Sequence, residues 1–132
     1  MKAAALVLAL MASALGRTPT VTAAEDTIVI EATRLEPPIL KTATERRVIF
    51  INRSGRPVHV DFVVASGEHR VFQVPGQIWA IFHRAGVHQY VVHLERGANV
   101  VTLQGTVEAV DEPDVSHPIC DDLTVMGVCI ER

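Results

Sequence analysis

Sulfur and aromatic side chains are scarce in this chain. Its 132 residues include two cysteines, one tryptophan and one tyrosine. No CxxCH is present, so that route to covalent haem is closed. There is no Gly-rich phosphate loop and no GxSxG, which removes the nucleotide-binding and hydrolase signatures. Lysine is rare too: after residue 24 only Lys41 remains, beside nine arginines. Fifteen acids face these ten cations, giving residues 25–132 a net charge of −5. With that balance and no Lys/Arg-rich patch, charge-driven binding of nucleic acid is not expected. Glu31, Glu36, Asp61 and Glu95 form no legible carboxylate pair, and nothing sets a nucleophile beside a base. An enzyme is therefore not expected.

The first residues carry an export pattern. Lys2 precedes an uncharged apolar run, Ala3 to Leu15, and the small-residue stretch "TVTAAED" follows. This is the charged, apolar and cleavage-site order of a secretory signal peptide over residues 1–24, with cleavage after Ala24 or Ala23. The run is too short to span a bilayer comfortably, and Gly16-Arg17-Thr18-Pro19 ends it early, which disfavours an uncleaved anchor. The expected product is a 25–132 chain in the periplasm, no longer attached to the membrane once the signal is removed.

What remains is dominated by alternation. "DTIVIEA", "VHVDFVV", "HRVFQV", "IWAIF", "HQYVVHL" and "VVTLQGTVEAV" alternate with period two, and turn signals such as Pro37-Pro38, Gly55-Arg56-Pro57 and Pro75-Gly76 separate them. "RRVIFIN" is apolar on both faces, Val48 and Phe50 on one and Ile49 and Ile51 on the other, and predicts a strand buried on both sides. Trp79 and Tyr90 are expected as core anchors. The pattern predicts an all-β sandwich of about seven or eight strands over residues 25–110. Residues 111–132 form an acidic C-terminal extension holding Cys120 and Cys129. In an exported chain these predict one disulfide, closing a ten-residue loop worth at most about 2.7 kcal/mol. Alternatively they join His117 and Met126 in a soft Cu(I) site. "LTVMGVCI" is a candidate short strand.

The order of these pieces resembles the cupredoxin-like family, small secreted Greek-key β-sandwiches that often bind one copper. "TIVIEATRLEPPILKTATERRVIFINRSGRPVHVDFV" is similar to the family's first half, with Asn52 ending a strand and His59 at the place of its first copper-binding histidine. "VPGQIWAIFHRAGVHQYVV" and "LQGTVEAV" are similar to the second half. There Gly86 opens the ligand strand, and His88 and Tyr90 take its aromatic places. The resemblance implies a sulfur ligand at Val92, a second histidine at Glu95 and an axial methionine at Leu103, so three of four ligand places depart from the pattern.

A blue-copper centre needs a thiolate, and Val92 supplies none. Imidazoles can still hold Cu(II) in nitrogen- and oxygen-ligated sites. His88, Tyr90 and Val92 share one face of their strand, whereas His93 and Glu95 share the other. His59 shares a face with Asp61. The candidate metal set is His59 with His88, completed by His93 or Glu95 if the loop turns inward. His69 and His83 read as sheet-surface positions. Three functions follow: a periplasmic protein binding copper weakly through histidines as a store, carrier or accessory; a metal-free binding module for a periplasmic partner protein; or an electron carrier with a rebuilt ligand set. Ligand protonation would weaken copper binding as pH falls through about 6.

Overall fold

The computed structural model describes residues 25–112 and 120–130. The expected cleavage site and His117 lie outside the described residues. All regular structure described is strand: β1 (Glu25–Ile30), β2 (Leu35–Glu36), β3 (Ile39–Ala43), β4 (Arg47–Asn52), β5 (Val58–Val63), β6 (His69–Gln73), β7 (Gln77–Phe82), β8 (Gly86–Arg96), β9 (Asn99–Val110), β10 (Leu123–Val125) and β11 (Val128–Ile130). They form two sheets, ordered β11-β10-β7-β4-β1-β2 and β3-β9-β8-β5-β6. The two-sheet, all-β architecture expected from alternation is thus the one observed.

The strand number exceeds the seven or eight expected, for two local reasons. Pro37 and Pro38 have no N–H to offer a ladder. They split the stretch before Ala43 into β2, which pairs with β1, and β3, which pairs in parallel with β9 in the other sheet. The tail, read as one short strand, is a hairpin. Met126 and Gly127 both take left-handed backbone (φ 50° and 83°), which suits a two-residue hairpin turn. β10 then extends the six-stranded sheet by pairing with β7. The Cys120–Cys129 disulfide is formed and ties this hairpin to the residues that lead into it.

Alternation sorts side chains cleanly into the sandwich. Val48, Phe50, Val60, Phe62, Tyr90, Val92 and Val107 are almost wholly buried between the sheets. Phe50 meets both Phe62 and Tyr90 edge-on, with centroids 5.5 and 5.2 Å apart. Tyr90 is a core anchor as expected. Trp79 is not: it lies on the outward face of β7, half-buried, with the Arg47 guanidinium 4.4 Å from its ring centroid. "IWAIF", read above as alternating, is apolar at every position, so its sequence left the inward parity undecided.

One glycine exists to make room. Tyr90 pairs across the ladder with Gly105. A Cβ on Gly105 would lie 2.2 Å from Tyr90 Cζ and 2.3 Å from its hydroxyl oxygen. The ring therefore lies over bare backbone. Its hydroxyl is buried without a hydrogen-bond partner among the described residues, and burial pushes its pKa up.

Two outcomes in urea unfolding follow. Gly105→Ala destabilises the chain by about 3 kcal/mol through overpacking, and Tyr90→Leu, but not Tyr90→Phe, relieves the clash in the double variant. Tyr90→Phe alone is neutral or stabilising by up to about 1 kcal/mol, because it deletes an unpaired buried polar group. A clear loss of stability in Tyr90→Phe would mean that the hydroxyl has a partner.

Candidate functional site

β8 is the strand on which the resemblance rests, so its register decides what the candidate residues can do. It pairs antiparallel with β5 and β9. His93 stands directly opposite His59, and Val92 lies between Val60 and Leu103. Glu95 N–H donates to Pro57 O at 3.1 Å. Hydrogen-bonded pairs recur every second residue, so His59 and His93 form such a pair, with Cα atoms about 5.5 Å apart. Both imidazoles are half-buried on the outward face of the five-stranded sheet.

His88 is not with them. It lies on the inward face, buried, five residues along β8 from His93, or about 17 Å. The four candidates thus divide: His59, His93 and Glu95 share one side of the sheet, and His88 occupies the other. A cleft of about 510 Å³ opens beside the first group, lined by Asn52, Arg56, His59, Gln73 and Glu95 among others. Asn52 braces its rim. Its amide donates to Arg56 O and Val74 O, and its oxygen accepts from Ser54 N–H and O–H. Among the described residues no three His, Cys, Asp or Glu side chains converge to hold a metal ion.

A type 1 copper centre does not fit this geometry. Val92 is fully buried, and Leu103, its ladder partner, packs against the core. The two places where the resemblance implies sulfur ligands hold aliphatic neighbours in a continuous hairpin. The soft Cu(I) alternative in the tail fails for another reason: Cys120 and Cys129 are bonded to each other, and no free cysteine is found among the described residues.

The opposite end holds groups that the sequence did not announce. His83, expected on the surface, is buried. Its Nδ1–H donates to the Glu45 carboxylate at 2.8 Å, and its Nε2 lies 2.7 Å from Thr124 Oγ1. In the neutral ring Nε2 accepts the Thr124 hydroxyl proton. Glu45 reaches this place from a left-handed backbone (φ 67°), a costly conformation for a non-glycine residue. Asp122 accepts Ala65 N–H at 2.7 Å and faces Arg84 at 3.3 Å, while its carbonyl accepts His83 N–H at 2.9 Å. These bonds fasten the β10–β11 hairpin to the sandwich. Although hydroxyl, imidazole and carboxylate stand in a row, Thr124 sits mid-strand, paired with Ile81 on one side and Cys129 on the other. The His83 signal was unreadable locally, because its partners lie 38 and 41 residues away.

No protein-family model matches this chain, and no curated protein matches it. Among solved structures it is similar to amicyanin. A reduced-state variant aligns with a TM-score of 0.49 and 23% identity, over 70% of this chain and 86% of that one. A variant in its Cu(I) form aligns with 0.48 and 23%, over the same shares. An oxidised variant gives 0.47 and 25%, over 66% and 81%. The likeness is one of fold.

His88 gives the stability of the fold a pH dependence. Burial lowers its pKa from the ordinary 6.5, helped by nearby Arg84, while its hydrogen bond to Arg84 O (2.7 Å) and Asp122 act the other way. The unfolded chain therefore takes up this proton first. The stability that His88 contributes is full above the ordinary value and is lost as pH falls from there toward the lowered one. In His88→Gln, whose amide can still donate to the Arg84 carbonyl, urea-derived stability falls less between pH 7 and 5 than in the parent. Equal slopes would show that His88 titrates normally.

Proposed function

We propose that this chain is an exported, cupredoxin-like binding module for a partner protein, working without a type 1 copper centre. One observation carries this reading: at the places where the resemblance implies sulfur ligands stand the ladder partners Val92, fully buried, and Leu103, half-buried against the core. With no thiolate at that point there is no covalent copper–sulfur bond, and rapid blue-copper electron transfer is not the activity. Export is supported by the leader pattern of residues 1–24 and by the disulfide, which persists in oxidising compartments such as the periplasm. A non-enzymatic role agrees with the Thr124–His83–Glu45 row being engaged in holding the tail.

A second reading has its own observation. The cross-strand pair His59 and His93, with Glu95 on the same face, offers two imidazoles to one Cu(II) ion. Such a site would be weak, open to water, and weaker still as the imidazoles protonate.

Titration of the 25–132 chain with Cu(II), followed by visible and spin-resonance spectra, separates the readings. A silent titration is the outcome expected for the module. A pale nitrogen-ligated spectrum abolished by either His59→Ala or His93→Ala establishes the second reading. An intense blue band would refute both.

A further inference from the structure

All the sulfur of residues 25–132 is gathered in the tail, on Cys120, Met126 and Cys129. The two cysteines are bonded to each other and leave no free thiol. Met126 is therefore the sulfur most open to a two-electron oxidant. It is 49% exposed and lies in the turn between β10 and β11.

The ladder engages this thioether. β10 pairs with β7 from Leu123 opposite Phe82 to Val125 opposite Ala80. The next rung sets Met126 against Trp79, and Met126 N–H donates to Trp79 O at 3.0 Å. The return bond goes to the side chain: Trp79 N–H donates to Met126 Sδ at 3.4 Å. At Met126 the backbone turns left-handed (φ 50°), and the thioether takes the place that a carbonyl would hold in a continuing strand.

A thioether sulfur carries two lone pairs, one on each side of its C–S–C plane, and accepts hydrogen bonds weakly. Trp79 N–H occupies one pair. The other is directed away from β7, at a half-exposed turn. Oxidation takes place at a lone pair. With hydrogen peroxide, the sulfur attacks one oxygen, so that an S–O bond forms as the O–O bond breaks. The proton of the transferred hydroxyl passes to the leaving hydroxide, which departs as water. Sulfur is oxidised by two electrons and the peroxide is reduced by two. The product sulfoxide is chiral at sulfur, and the lone pair that reacts decides which epimer forms.

We propose that Met126 is a site of reversible oxidation by peroxides, and that the Trp79 N–H directs the oxygen to the opposite side of the sulfur, so that one sulfoxide epimer predominates. This holds whatever the module binds. Methionine sulfoxide reductases each act on one epimer. One of the two classes would therefore reverse most of the modification, with a dithiol oxidised to a disulfide and the oxygen released as water.

The test treats the chain purified from the producing cells with dilute hydrogen peroxide, folded in buffer and unfolded in urea. Each product is digested, and the epimers of the peptide carrying Met126 are resolved by chromatography and assigned with the two reductases. The folded chain is expected to gain one oxygen, at Met126, with one epimer in about three-fold excess or more, the scale set by a weak hydrogen bond. The unfolded chain should give the two epimers almost equally, and Met126→Leu should take up no oxygen at the same dose. Trp79→Phe keeps the backbone N–H and should keep the excess. Equal epimers from the folded chain, an excess lost in Trp79→Phe, or a folded chain unoxidised at a dose that converts the unfolded one would each overturn the proposal.

Discussion

The ladder between β8 and β9 constrains everything else in this molecule. It runs unbroken from Gly86 opposite Ala109 to Arg96 opposite Asn99, and closes through Gly97 and Ala98 alone. A strand alternates its faces strictly, so one register fixes several outcomes together. Val92 enters the core beside its half-buried partner Leu103, Tyr90 covers Gly105, and His93 is turned outward, where the β5–β8 register sets it opposite His59.

Much of this was legible in the sequence, and the illegible parts have physical causes. Period-two alternation revealed the strands, and the double-sided apolar pattern of β4 was readable as Ile49 and Ile51 beside Val48 and Phe50. That pattern predicted burial on both faces; among the described residues Val48 and Phe50 are fully buried, whereas Ile49 and Ile51 are half-buried. Within β8 the parity that separates His88 from His93 could be read directly. Whether His59 faced one or the other could not, because parity on one strand says nothing of the register to the next. His83 was misread for a related reason. Its burial depends on a tail hairpin docking from far along the chain, through Thr124 and Asp122.

The two ends of the sandwich have taken different roles. The buried polar side chains Thr42, Thr44, His83, His88 and Asp122 gather where the tail returns. There, hydrogen bonds replace the water lost by each group, as burial of polar atoms requires. At the other end Asn52 organises two loops around an open, polar cleft. One end is built to be closed, the other to be accessible.

The disulfide has an asymmetry with a chemical consequence. Cys129 is exposed on β11, whereas Cys120 is buried, its sulfur 3.2 Å from Leu123 O. An attacking thiolate approaches the sulfur it can reach and expels the other. Here the leaving sulfur would carry its new negative charge in a dry place, against a carbonyl oxygen. The bond is thereby shielded from exchange even though one of its halves faces solvent, and the hairpin that it holds persists where small thiols are present.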